Sequence, residues 1–235
     1  MYPHRIRLRG PWECEPLPSA DGQPAPPPRR MTLPCRWAEG GLVGFAGRVR
    51  FRRRFGYPGN LDSSERVWLT FAGAEGDTTV SLNGQMIDAP DSPMNGFEYE
   101  VTALLQMRNE LLVEIDGPAT GGLWGEVAME IRRTAFLRNI RLHAEDGLLH
   151  VEGEIAGFAE RPLELYAVAG RSTAAYCVLE AGRQFRLLSE PLVLRGPHPV
   201  RVDLVDGASV WYTLERVVDF PAPAQEEGSE WTSSR

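Results

Sequence analysis

VWLTFAGAEGDTTVSLNGQMI, residues 67–87, contains two short runs in which apolar and polar side chains alternate. Val67, Leu69 and Phe71 occupy every second position of the first run. A period of two places successive side chains on opposite faces of a β-strand. The second run ends at Asn83-Gly84, a pair that tolerates the positive φ of a tight hairpin. This stretch therefore predicts antiparallel strands of a β-sandwich.

The segments that follow extend this pattern along the chain. FEYEVTALLQ (residues 97–106) and RNELLVEID (residues 108–116) come next, and GGLWGEV begins at residue 121. In this order the strand, the VSLNG hairpin and the two segments resemble the N-terminal sugar-binding domain of glycoside hydrolase family two. That family includes β-galactosidases, β-glucuronidases and β-mannosidases. The resemblance implies a galactose-binding-like jelly-roll β-sandwich over residues 1–134.

Seven further short runs with glycines between them fill residues 135–221. Strands at this spacing are typical of an immunoglobulin-like sandwich. The second domain of the family is such a sandwich, and PHPVRVDLVD at residues 197–206 resembles its closing stretch. The remaining residues, 222–235, are polar and contain proline, so we expect a disordered tail. The chain as a whole is predicted to be all-β.

The length of the chain bears on catalysis. Family members hydrolyse glycosides on a (β/α)₈ barrel, which needs roughly 250 residues of its own. A chain of 235 residues with two sandwiches leaves no room for it, so we expect a non-catalytic protein without catalytic residues. The sequence also lacks the catalytic motifs G-x-S-x-G and H-E-x-x-H. A phosphate-binding loop is absent as well, because that motif requires a lysine and the chain contains none. No cofactor is expected.

Charge argues against nucleic acid and anionic membranes as partners, because the net charge is -7. The N-terminus lacks the apolar core of a signal peptide, which predicts a cytoplasmic protein unless the true start lies upstream. Cys14, Cys35 and Cys177 show no C-x-x-C spacing, so we expect free thiols and no metal site. Pairing of Cys14 with Cys35 is left open.

A row of arginines in RVRFRRRF (residues 48–55) is the strongest local charge feature. Alternation would place Arg48, Arg50, Arg52 and Arg54 on one outer face. Such a row could track phosphates, but like charges on one strand favour carboxylates on the neighbouring strands. We expect those partners to be Glu114, Asp116 and Glu130.

A carbohydrate site needs an exposed aromatic ring beside planar polar groups, because a sugar has both apolar C–H faces and hydroxyls. Several loops supply such residues. Trp124 could instead be a packing residue, Trp37 could serve either role, and the acidic loop could be a solvated turn. The candidates are Trp37, Glu39, Asp88, Asp91, Asn95, Trp124 and Glu126.

Histidines provide one further observation. His143 and His150 flank a turn and could approach each other across a hairpin. The interpretation favoured by the sequence is that they are ordinary exposed histidines, so no metal site is predicted.

The resulting hypothesis is a non-catalytic carbohydrate-binding or accessory protein. Its partner would be a carbohydrate or a separately encoded glycoside hydrolase, and the oligomeric state is undetermined. Two alternatives stay open: a protein-interaction or assembly scaffold, and the accessory half of a split glycosidase.

Overall fold

A computed structural model describes residues 3–18, 25–87 and 92–221 of the chain. Regular structure in these ranges is β-strand except for two 3₁₀ turns, Pro93–Asn95 and Thr102–Leu104. The all-β prediction is confirmed. No helix in the described ranges is both long enough and apolar enough to span a membrane.

The chain divides into two compact units, with the boundary along the sequence between Arg133 and Thr134. The first unit contains twelve strands. They are β1 (His4–Arg7), β2 (Trp12–Pro16), β3 (Arg29–Met31), β4 (Cys35–Arg36), β5 (Gly47–Gly56), β6 (Glu65–Phe71), β7 (Asp77–Leu82), β8 (Gln85–Ile87), β9 (Phe97–Glu100), β10 (Arg108–Gly117), β11 (Gly122–Leu123) and β12 (Val127–Arg133).

Two main sheets build the first unit. One has four strands in the order β1-β12-β6-β9, and the other has six in the order β3-β2-β5-β10-β7-β8. Strands β4 and β11 form a separate two-stranded ladder, and this ladder positions the loops of interest below. Burying apolar faces of two sheets is the usual way in which a β-sandwich gains its stability.

Alternation in the quoted stretch is realised as predicted. Val67, Leu69 and Phe71 are buried, while the intervening side chains are half-buried. Asn83 (φ 54°) and Gly84 (φ 80°) close the hairpin between β7 and β8. The local sequence therefore sets both the inward face of β6 and the β7–β8 turn.

The arginine row of β5 lies between two strands that carry carboxylates. Arg50 donates to Glu114 at 2.8 Å, and Arg48 lies 3.4 Å from Asp116. Arg52 and Arg54 contact Glu13 and Glu110, at 2.7 and 3.0 Å. We call Arg48, Arg50, Arg52 and Arg54 with these carboxylates the arginine ladder.

The prediction for the ladder partners was correct for Glu114 and Asp116 and wrong for Glu130. Glu130 lies on β12 in the other sheet, where it is 5% exposed. Its carboxylate accepts hydrogen bonds from Arg5 and Arg132 at 2.5 and 2.7 Å. The error arose because β12 pairs with β1 and β6 rather than with β5.

The second unit has seven strands in two sheets, of order β13-β14-β17 and β16-β15-β18-β19. They are β13 (Ala135–Glu145), β14 (Leu148–Gly157), β15 (Leu163–Ala169), β16 (Ser172–Leu179), β17 (Arg183–Leu188), β18 (Gly196–Asp206) and β19 (Ser209–Phe220). Its core includes Val151, Leu165 and Val202, each from a different strand. The seven runs expected from sequence all form strands.

Cysteines are free throughout. Cys14 is buried, and Cys35 and Cys177 are half-buried. Burial raises the pKa of the Cys14 thiol to about 12, because a thiolate loses its hydration in an apolar environment.

Candidate functional site

Trp37 belongs to the core of the first unit. The loop that follows β4 carries its side chain inward, and it is 0% exposed. The ring packs against Gly121, whose missing Cβ leaves the space, and Phe45 meets it edge-on with centroids 5.8 Å apart. The expectation that Trp37 is an exposed platform is therefore wrong.

Trp124 is half-buried and already has two neighbours. Its six-membered ring rests on Gly73, where a Cβ would overlap the indole. The guanidinium carbon of Arg36 lies 5.6 Å from the ring centroid, a cation–π distance. The indole thus combines packing with a contact to a charged group.

Arg36 connects Trp124 to a polar group that sequence analysis did not identify. Its Nη1 lies 2.7 Å from Glu75 Oε2, and the Thr120 hydroxyl donates to Glu75 Oε1 at 2.7 Å. The hydrogen bond from Thr120, followed by that from Arg36, lowers the pKa of Glu75. We call Arg36, Glu75, Thr120 and Trp124 the rim cluster.

Glu75 and Thr120 reach the rim cluster through long-range pairing. The backbone N–H of Glu75 donates to Gly122 O at 3.1 Å, and Gly122 in turn pairs with Arg36 between β11 and β4. Neither residue stands in a local sequence pattern that indicates function. Only the tertiary arrangement brings them beside Trp124.

The other candidates are engaged within the fold. Glu39 accepts a hydrogen bond from the backbone N–H of Arg36 at 3.1 Å, which closes its own loop. Glu126 pairs with Arg5 and Arg7 at 2.7 and 2.9 Å. The exposed Asn95 amide donates to Ser92 at 3.0 Å. Asp88 and Asp91 lie outside the described residues.

A second aromatic surface lies on the second unit. Tyr166 of β15 and Tyr176 of β16 are direct cross-strand partners, with ring centroids 4.9 Å apart and planes inclined by 45°. Tyr176 is 48% exposed. The Tyr166 hydroxyl donates to Glu164 at 2.5 Å, and this hydrogen bond raises the pKa of Tyr166 to about 12.

Planar polar groups flank the two rings. Asp203 of β18 stands opposite Tyr166 and accepts hydrogen bonds from Arg201 and Thr213, both at 2.8 Å. We call Glu164, Tyr166, Tyr176, Arg201 and Asp203 the tyrosine face. It meets the stated requirement for a carbohydrate site, an exposed ring beside planar polar side chains.

Sequence analysis missed the tyrosine face although a signal was present. Tyr166 follows the buried Leu165 and precedes the buried Ala167 on β15. Tyr176 likewise precedes Cys177, which packs against the core. Period two therefore predicts that both tyrosines point outward from neighbouring strands.

A groove of about 790 Å³ opens on the three-stranded sheet, lined in part by Arg141, Glu152 and Arg186. Both arginines contact Glu152, at 3.4 and 2.7 Å. The one aromatic residue of its lining, Phe185, is 8% exposed. The groove thus offers polar groups without an open ring.

Known proteins resemble this chain in fold but not in sequence. No protein-family model and no curated protein matches the chain. Solved structures with a similar fold include the FMN-binding β-glucuronidase from Facaelibacterium prausnitzii L2-6, at 18% identity and a TM-score of 0.70. The β-glucuronidases from Ruminococcus gnavus and Bifidobacterium dentium are 15% and 17% identical, both with a TM-score of 0.72.

The chain has a glycoside-hydrolase-related fold. The three matches cover 92%, 94% and 93% of this chain, but only 39%, 45% and 49% of the respective hydrolases. This chain therefore spans less than half the length of each of these proteins. At such identities the likeness concerns the fold, and function has to be argued from the chain's own residues.

Proposed function

We propose that this chain is a non-catalytic, carbohydrate-binding accessory part of a glycoside hydrolase system, and that it binds oligosaccharide on the tyrosine face. The exposed Tyr176 ring, paired with Tyr166 beside Glu164, Arg201 and Asp203, is the observation that carries the proposal. The glycoside-hydrolase-related fold supports the choice of carbohydrate as ligand class.

The chemistry of the tyrosine face suits a sugar chain. The apolar C–H face of a pyranose would stack on Tyr176, because aromatic rings contribute a large contact area at little cost in side-chain entropy. Sugar hydroxyls would donate to Glu164, and the Arg201 guanidinium would donate to hydroxyl or ring oxygens. Asp203, which is 9% exposed, would hold Arg201 in place. A flat strand surface matches several linked residues better than one enclosed sugar.

Affinity is expected to depend on oligosaccharide length. A monosaccharide of about 12 heavy atoms at roughly 0.3 kcal/mol per atom gains about 4 kcal/mol, which corresponds to a millimolar Kd. Each further sugar that contacts the face adds area without a second loss of translational freedom. Tetrasaccharides and longer chains are therefore the appropriate probes.

A glycan array followed by calorimetry with the best oligosaccharide tests the proposal. Tyr176→Ala should weaken binding at least tenfold, since it removes the stacking surface. Tyr57→Ala is the matched control, because Tyr57 is a 38% exposed tyrosine of the first unit, and it should leave binding unchanged. Equal binding by wild type and Tyr176→Ala, or no binding to any oligosaccharide, would contradict the proposal.

The rim of the first unit provides the competing location. The predicted ligands of that unit stay Glu39, Asp88, Asp91, Asn95, Trp124 and Glu126, and the rim cluster adds Arg36 and Glu75. Trp124→Ala in the same assay separates the two surfaces. A loss with Trp124→Ala and none with Tyr176→Ala would assign the sugar to the rim and overturn the tyrosine face.

The non-catalytic part of the proposal has its own test. Hydrolysis of chromogenic β-glucuronides and β-galactosides should not rise above background with the purified 235-residue chain. Turnover that follows the protein through purification would contradict a purely accessory role.

A second candidate function is an assembly scaffold whose partner is a separately encoded glycoside hydrolase. Val178 and Val210, which are 51% and 43% exposed, lie in the same cross-strand row as Glu164 and favour a protein contact there. Light scattering of the chain alone and mixed with a barrel-containing hydrolase tests this role. Loss of a mixed complex in Val178→Asp, with glycan binding retained, would separate it from the first function.

A further inference from the structure

We propose that the second unit binds a divalent transition-metal ion of the zinc class through His143, Glu145 and His150. His143 and His150 are direct cross-strand partners on β13 and β14. Their rings stack with centroids 4.5 Å apart and planes inclined by 16°. One ligand atom from each of the three residues lies within 4.8 Å of those of the other two.

The hairpin fixes this arrangement. Asp146 (φ 50°) and Gly147 (φ 75°) form a two-residue turn, and Glu145 stands opposite Leu148. Two positive φ values in such a loop match the twist of the flanking strands and leave little freedom in the pairing. Because alternate residues share a face, His143 and Glu145 point to the same side of β13.

The three side chains are available for a ligand. His143 and Glu145 are exposed and His150 is half-buried. The two arginines nearest in the cross-strand rows, Arg141 and Arg186, contact Glu152 instead. In the described part of the chain, no salt bridge engages Glu145.

Coordination chemistry selects the class of metal. Zinc accepts imidazole nitrogen at about 2.0–2.1 Å and carboxylate oxygen at about 2.0–2.2 Å. Tetrahedral ligands at these lengths lie roughly 3.3 Å apart. Because an imidazole coordinates a metal in its own ring plane, the two histidine rings have to turn out of their stack for their nitrogens to meet at one ion, and the exposure of His143 and Glu145 leaves room for that rotation. Calcium and magnesium prefer all-oxygen sites, which disfavours them here.

Three protein ligands leave one tetrahedral position open. Water or an external carboxylate would fill this position. The site therefore differs from a structural zinc site, in which the protein supplies all four ligands. The site lies on the three-stranded sheet, whereas the tyrosine face lies on the four-stranded sheet. The metal proposal is therefore independent of carbohydrate binding.

Calorimetric titration of the chelator-treated 235-residue chain with zinc chloride tests the proposal. The background is Cys35→Ser with Cys177→Ser, because half-buried thiols are competing ligands. One equivalent of zinc should bind, and His143→Ala or His150→Ala should each weaken binding at least tenfold. Glu145→Gln should weaken it less, and calcium should not compete.

His198→Ala is the matched control, since His198 is a histidine of the same unit outside the cluster. It should leave zinc affinity unchanged. Absence of zinc binding, or equal affinity in the two-serine parent chain with and without His143→Ala, would overturn the proposal. Should an alanine variant unfold, zinc-induced shifts of the His143 and His150 imidazole resonances in the parent chain decide instead, with His198 as the reference that must not move.

Discussion

The rim cluster and the tyrosine face both place an aromatic ring beside arginine and carboxylate groups, but the rings differ in what they contact. Trp124 rests on Gly73 with Arg36 over it, and the adjacent Trp37 is buried against Gly121. Tyr176 lies on a regular strand and keeps 48% of its surface exposed. Glycines let the indoles pack closely, whereas the flat strand leaves the phenol open to a ligand.

The largest expected effect is the difference in destabilisation between the Trp37→Ala and Tyr176→Ala variants. Trp37→Ala removes a 0% exposed indole and should destabilise the first unit by about 3–5 kcal/mol. Tyr176→Ala should cost less than about 1 kcal/mol, because half of the ring is already in water. Scanning calorimetry of both variants measures the difference. Equal melting temperatures of the two variants would contradict the assignment of Trp37 to the core and of Tyr176 to the surface.

A smaller effect concerns the hydrogen bond that orients the tyrosine face. The bond to Glu164 raises the pKa of Tyr166 from the usual tyrosine value of 10.0 to about 12. Since the folded-state value is raised, the bond stabilises the protein below about pH 10, and that contribution is lost between about pH 10 and 12. Glu164→Gln should move the Tyr166 titration toward 10, as followed by absorbance at alkaline pH.

Tyr166→Phe identifies the transition that belongs to Tyr166 in that titration. The remaining tyrosines supply the internal reference. A wild-type Tyr166 that already titrates at its ordinary value would mean that the bond to Glu164 does not form in solution.

The smallest expected effect lies in the rim cluster. Arg36 and Glu75 are 42% and 25% exposed, and partly solvated ion pairs contribute about 0–1 kcal/mol. A double-mutant cycle with Arg36→Gln and Glu75→Gln should give a coupling energy in that range, falling as salt is added. A coupling above about 2 kcal/mol would show that the rim is more rigid than its exposure implies.

Period-two alternation was sufficient to predict strands and the outward row of arginines, and the Asn83-Gly84 pair was sufficient to predict the hairpin. Alternation combined with the need for opposite charges beside the arginines placed Glu114 and Asp116 next to β5. It could not place Glu130, because alternation gives the face of a strand and not the sheet to which the strand belongs. That assignment depends on pairings such as β12 with β1, which join residues far apart in the sequence.

Side-chain exposure in loops was the least predictable property. The residues around Trp37 are polar and glycine-rich, a composition typical of surface loops. Its burial depends on space left by Gly121, more than eighty positions away. Conversely, the outward position of Tyr166 and Tyr176 follows from alternation alone, so the sequence contained more information about the second unit than about the rim.

The arginine ladder has a consequence for how the chain folds. The apolar faces of β5 and β10 would tolerate a slip of two residues, since inward and outward positions are preserved. Such a slip would set Arg54 opposite Leu112 and leave Glu110 without its cation, whereas Arg52 and Arg50 would stand opposite Glu114 and Asp116. The charges thus oppose this misalignment only by the loss of one largely exposed ion pair, about 0–1 kcal/mol, so the even spacing of the arginines makes the ladder a weak determinant of register.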